Sequence, residues 1–254
     1  MTIPSAWMPN AEMSRIHIHW TAGGHNANAT DKKSYHILVE ADGTLVRGDR
    51  SIKANEKGSG MTPASHTLNA NTGSIGVSMC CMGGKGVTEN PFAAGKFPLT
   101  RAQWNKMVEV VAELAKRYGI PVTSKTILTH AEVQPNLGIK QKQKWDITRV
   151  AFDPTLVGHK AVGDKIRNAV AVALDGISPD VGAAIPADMK PGKFRVTGVT
   201  PSTLTFRDGP NGAKKGELPE NAFVERLGED GDWSHVRTAA GFVGWVATEF
   251  LTPA

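Results

Sequence analysis

The sequence predicts an α/β domain, a mixed central sheet flanked by helices, followed by a small all-β barrel. Three observations carry this. Arg15-Ile16-His17-Ile18-His19-Trp20 alternates in side-chain type and stops before Gly23-Gly24, as a strand ending in a loop does. Thr100 to Gly119 shows apolar residues at three- and four-residue spacing between helix start and stop signals. From Lys193 onward, short β-branched and aromatic runs alternate with Gly, Pro, Asn and Asp turns. A chain of 254 residues exceeds one ordinary domain, so a main domain with a small module is expected.

In the first strand, Ile16 and Ile18 face one side and His17 and His19 the other, so the apolar pair can meet a core while imidazole faces a cleft. A polar loop covers Gly23 to Lys33. Tyr35 to Arg47 then reads as strand, Asp42-Gly43 turn and strand, a hairpin signal. Asn55 to Asn71 is a polar loop containing His66, and Ile75 to Met82 is a buried strand in which Cys80 and Cys81 act as small hydrophobes. As strand neighbours the two cysteines point to opposite faces, and no disulfide is expected. After a loop from Gly83 to Pro98 comes the clearest helix, with Thr100 and Gln103 placed as a capping box and Gly119 just past its end. Pro121 to Thr129 reads as a short strand ending at His130, and Ala161 to Leu174 as a second helix.

These elements place the first domain at residues 1–175, a linker at 176–192 and the barrel at 193–254. The linker has three prolines, small residues and no period. The barrel resembles the bacterial SH3-like family in Leu204-Thr205-Phe206-Arg207-Asp208-Gly209-Pro210, Gly231-Asp232-Trp233 and Gly241-Phe242-Val243-Gly244-Trp245-Val246. The resemblance implies a module that binds peptidoglycan; the bland alternative is a stabilising appendage. Trp233 and Trp245 are expected in the barrel core.

The net charge of +5 and pI near 9.2 favour an acidic partner. Lys140, Lys142 and Lys144 form the only cluster and read as a solvated face, so nucleic acid is not an expected partner. The chain opens with no basic and apolar signal pattern and has no apolar run of membrane-spanning length. Synthesis in the cytoplasm without a signal peptide, and no membrane insertion, are the expectations.

A hydrolytic zinc site needs about three protein ligands and one open position for water. His19, His130 and Asp146 have suitable side chains near strand ends or loops; from the residues alone Glu132 and Asp153 stay open as the third ligand.

Four motifs then occur in order: His19-Trp20-Thr21-Ala22-Gly23; Tyr35-His36-Ile37-Leu38-Val39 with Asp42-Gly43; His66-Thr67 before Ser74-Ile75-Gly76-Val77; and Thr129-His130-Ala131-Glu132-Val133 before Lys144-Trp145-Asp146. Together they resemble the zinc-dependent N-acetylmuramoyl-L-alanine amidases of the type 2 amidase family, which includes phage lysozyme-amidases and is similar to peptidoglycan recognition proteins. The resemblance implies zinc on His19, His130 and Asp146, catalytic support from Tyr35 and Lys144, and Thr21 and His66 lining a substrate cleft. This chain departs from the pattern in extra residues around Leu137 to Gln143, in Ile147 after Asp146 where proline is common, and in Ser78 where many members carry a catalytic glutamate. Phage-type members also lack that acid.

The expected protein is therefore a monomeric peptidoglycan hydrolase that cleaves the amide between N-acetylmuramic acid and L-alanine, an endolysin reaching the wall after holin-type release. A peptidoglycan-binding protein without catalysis and a cytoplasmic muropeptide-recycling amidase are the alternatives. His17 and His36 are expected to be structural or to support the ligands from behind rather than to bind the ion, and His25, His159 and His235 carry no signal.

Overall fold

The structure, a computed structural model, describes residues 2–174, 192–238 and 243–254. The chain divides into two compact units, Met1–Pro179 and Asp180–Ala254. The expected linker, apart from Gly192, lies outside the described residues, as do Gly241 and Phe242.

The first unit is built on a five-stranded sheet. In chain order it comprises β1 (Arg15–Trp20), α1 (Ala29–Ser34), β2 (Ile37–Val39), β3 (Leu45–Arg47), β4 (Ser74–Met79), a β5–β6 hairpin (Val87–Thr88, Ala93–Ala94), α2 (Arg101–Tyr118), β7 (Ile127–Thr129), α3 (His130–Leu137), a β8–β9 hairpin (Arg149–Val150, Asp153–Val157) and α4 (His159–Leu174). The sheet order is β3-β2-β4-β1-β7, with β1 central to parallel partners β4 and β7 and only β3 antiparallel.

Alternation makes the sheet two-faced. Ile16, Ile18 and Trp20 stand in register with Ile75, Val77 and Met79, and with Ile37 and Val39 of β2 they join the apolar core that α2 and α4 complete. His17 and His19 stand in register with Gly76 and Ser78 on the opposite face. The apolar stripe of α2 buries Trp104, Met107, Val108, Val111 and Leu114 in that core. Thr100 and Gln103 exchange the two hydrogen bonds of a capping box, and Gly119 closes the helix at φ 64°. Gln103 also donates its amide to the Val39 and Cys80 carbonyls, fastening the helix start to two strand ends. The Asp42-Gly43 hairpin pairs Ile37 with Arg47 as expected. Cys80 and Cys81 are free and buried.

The structure corrects several expectations. The loop after β1 contains α1, which the polar composition concealed. The strand before His130 is only Ile127–Thr129; the preceding turn is closed by Thr123 and Thr126. His130 opens α3, a helix with Pro135 inside it.

The second unit is a seven-stranded sheet, β10 (Gly192–Val196), β11 (Leu204–Arg207), β12 (Lys214–Leu218), β13 (Phe223–Asp230), β14 (Trp233–Thr238), β15 (Val243–Ala247) and β16 (Leu251–Pro253), in the order β12-β11-β15-β14-β13-β10-β16. Its core holds Phe194, Val196, Leu204, Phe206, Val224, Val236 and Val246. The expectation for the tryptophans is reversed. On β14 and β15 the buried residues are Ser234, Val236, Gly244 and Val246, so Trp233 and Trp245 point to the outer face. There Trp245 stacks on His235 with ring centroids 4.7 Å apart, and the Arg207 guanidinium lies over Trp233.

Candidate active site

The histidine face of the sheet ends in an open cleft of about 650 Å³, with Thr21, Tyr35, His66, His130, Lys144 and Asp146 in its wall. The three expected ligands come from three places. His19 is delivered by the C-terminal half of β1. His130 sits where β7 turns into α3, a turn fixed by the Glu132 carboxylate accepting from the Thr129 amide at 2.9 Å. Asp146 lies in the following loop, held to α3 by its own carbonyl, which accepts from the Ala131 amide at 2.7 Å.

Their side chains converge. His19 Nδ1 is 3.1 Å from His130 Nδ1 and 3.0 Å from Asp146 Oδ2, and His130 Nδ1 is 3.1 Å from the same oxygen. All three residues are buried. Donors bound tetrahedrally at about 2.0–2.1 Å from zinc stand about 3.3 Å apart, so this triangle fits that ion with a small relaxation, and two imidazoles with a carboxylate suit its chemistry. Burial, opposed by hydrogen bonding to Asp146, pushes His19 down to about 4. Burial alone would raise the Asp146 carboxyl, but the His130 and His19 rings at its oxygen hold it below the ordinary carboxylate range. Both shifts favour the forms that bind a metal.

The alternatives for the third ligand are engaged elsewhere. Glu132 turns away from the cleft and pairs with Arg167 of α4, its oxygens 2.8 and 3.0 Å from the guanidinium. Asp153 accepts from the Thr155 hydroxyl in the β8–β9 hairpin and is absent from the cleft wall.

Tyr35 follows α1, with its ring centroid 5.2 Å from that of His19. Burial first, and the Asp146 charge second, push its hydroxyl above the ordinary range, so it stays protonated. Its backbone is tightly placed: a Cβ on Gly48 would lie 1.8 Å from the Tyr35 carbonyl oxygen. Lys144 is exposed at the cleft wall, and the Thr21 hydroxyl accepts from the Gly23 amide. The His66 ring covers Gly76 so closely that a Cβ there would lie 2.6 Å from it.

Behind this wall is a hydrogen-bonded hub that the spacing did not announce. The Thr67 hydroxyl contacts His17 Nδ1 at 3.0 Å, His66 Nδ1 at 2.9 Å and His19 Nε2 at 3.4 Å. One hydroxyl donor and two acceptor positions can serve three imidazoles at once. Alternation placed His17 on this face, but the loop that brings Thr67 to it is set by tertiary contacts: Asn71 Oδ1 accepts the His66 and Thr67 amides. Gln141, from the extra residues after α3, reaches His130 Nε2 at 3.0 Å.

Fold and site thus define a class, an α/β domain in which a strand end, a helix start and a loop bring a buried His-His-Asp triangle, able to hold a metal ion, to the floor of an open cleft. The chain belongs to the N-acetylmuramoyl-L-alanine amidase family, whose model matches residues 9–164, and the bacterial SH3 domain model matches residues 202–252. Among similar solved structures are the N-acetylmuramoyl-L-alanine amidase LysC from Clostridium intestinale URNW, at 16% identity over 51% of this chain and 88% of that one, TM-score 0.32. The Ph2119 endolysin from Thermus scotoductus MAT2119 bacteriophage Ph2119 has 17% identity over 49% and 75%, TM-score 0.33. Drosophila Peptidoglycan Recognition Protein (PGRP)-SA has 13% identity over 59% and 82%, TM-score 0.36. Comparison with curated proteins gives no match.

Proposed function

We propose that this protein is a zinc-dependent amidase of the endolysin type, which hydrolyses the bond between the lactyl group of N-acetylmuramic acid and L-alanine in peptidoglycan. The observation that carries this reading is the buried Nδ1–Nδ1–Oδ2 triangle at the floor of the cleft, in a chain of this family. His19, His130 and Asp146 would hold the ion, which when bound supplies Lewis acidity and a water acidic enough to ionise near neutral pH. The remaining steps belong to the chain. Tyr35, kept protonated by burial, donates to the oxygen on which charge develops as the scissile carbonyl becomes tetrahedral. Lys144, at the cleft wall, offers an ammonium to the same charge and a proton source for the leaving amine of L-alanine. Thr21 and His66 line the cleft that takes the glycan and stem peptide.

Residues 1–175 would form the catalytic domain and 193–254 the wall-binding domain, joined by 176–192. Release through a holin belongs to this reading. Binding without hydrolysis is the second reading: Ser78, opposite His19 in the sheet register and fully buried, brings no acid to the cleft, but phage-type members lack that acid too, which favours the amidase.

Incubation with purified peptidoglycan, alone, with a zinc chelator and with zinc restored, followed by mass spectrometry of the released ends, separates the two. Free L-alanine amino termini that appear only with zinc support the amidase. Retention on the wall without cleavage by folded, zinc-loaded protein supports binding alone.

A further inference from the structure

The loop formed by the extra residues after α3 does more than lengthen the path from His130 to Asp146. The side chain of Gln141 is held by both ends of its amide. Nε2 donates to the Leu68 carbonyl at 3.0 Å and the Ile139 carbonyl at 3.3 Å, while the backbone amide donates to Gln134 Oε1 at 2.8 Å. Two carbonyls can only accept, so they orient the amide with its nitrogen towards them. Oε1 is then the atom that faces His130 Nε2, at 3.0 Å. An amide oxygen also only accepts, which places a proton on Nε2 and leaves the Nδ1 lone pair of the neutral ring pointing at His19 Nδ1 and Asp146 Oδ2.

We infer that Gln141 is a positioning residue of this centre: its amide oxygen fixes His130 in the tautomer that presents Nδ1 to the metal, while its amide nitrogen clasps the segment after Thr67 against the same site. The inference rests on the metal-dependent reading above and adds a residue to it. Because Leu68 follows the Thr67 hub, the clasp places the contacts to the Nε2 atoms of His19 and His130 on adjoining loops.

The two functions of the amide are separable. Gln141→Leu removes both acceptor and donor, whereas Gln141→Glu keeps an acceptor at His130 and loses the donor to Leu68 and Ile139. Zinc affinity of the full chain, measured by competition with a chromophoric chelator, is the readout, with the melting temperature of the metal-free protein recorded for each variant. Gln141→Leu is expected to bind zinc roughly 10- to 100-fold more weakly, and Gln141→Glu at least as tightly as the parent. Equal affinity in Gln141→Leu and the parent overturns the inference, as does Gln141→Glu weakened as far as Gln141→Leu, which would make the residue a loop clamp only. A parent protein that takes up no zinc overturns the metal reading itself, an outcome distinct from either.

Discussion

Gly163 and Glu132 are complementary in shape: a Cβ built on Gly163 of α4 would lie 2.1 Å from Glu132 Oε1. The carboxylate cannot retreat, because it is buried between the Arg167 guanidinium and the Thr129 amide that starts α3. A glycine in one helix therefore secures the turn that presents His130.

Gly163→Ala should for this reason destabilise the protein, against the usual helix rule. Alanine in a helix interior ordinarily gains about 1 kcal/mol over glycine. Here the overpacking should outweigh that gain and leave a net loss of about 1–3 kcal/mol. Denaturant titration checks the sign, and a stabilised variant would mean that the carboxylate has room to move.

His130→Ala should abolish bound zinc and hydrolysis together, since it removes one corner of the donor triangle while leaving Glu132 to cap α3. Metal analysis of the purified variant beside the peptidoglycan assay reads both. Full activity in this variant would remove the site assignment.

Acid should weaken the metal-free fold before the carboxylates are involved. His36 accepts the Gly76 amide at Nδ1, and burial pushes its pKa down to about 4; burial also holds His17 and His66 well below the usual histidine value. These rings are neutral when folded and take up protons when unfolded. Their contribution is complete above about pH 6.5 and is lost as pH falls towards 4. For His36 alone the loss is about 2 kcal/mol at pH 5. Unfolding free energies at pH 7 and pH 5 measure it, and a flat profile would show that the rings are solvated or already charged in the folded protein.

Removing everything after Leu174 should leave hydrolysis of a soluble muropeptide intact and reduce retention on intact sacculi. Each unit has its own apolar core among the described residues. Equal retention of the truncated and full chains in a pelleting assay would rule out a targeting role for the SH3 domain.

Much of the fold was legible in local pattern. The alternation of β1, the Asp42-Gly43 hairpin and the capped stripe of α2 were readable because each is set by neighbours within a few residues. α1 and α3 were not. α1 carries its capping box on Asn28 and Asp31 within a polar stretch, and α3 includes Pro135, against its intrinsic propensity. In the barrel the strands were readable, but the facing of Trp233 and Trp245 was not. Alternation says which residues share a side and is silent on which side is the core, and here Ser234 and Gly244 occupy the inner positions.

The site divides in the same way. His19, His130, Asp146, Tyr35, Lys144, Thr21 and His66 were named from ordered motifs, and all seven lie at one cleft or in its floor. The sequence by itself determined which side chains are candidates for the chemistry and which face of β1 bears the imidazoles, because residue type and a period of two are local properties. Only the tertiary structure decided that Glu132 belongs to Arg167, that Thr67 joins His17, His19 and His66, and that Gln141 reaches His130. Those pairings join segments up to 50 residues apart. No local periodicity records them, because they exist only once the sheet has closed and the burial of each polar atom demands a partner.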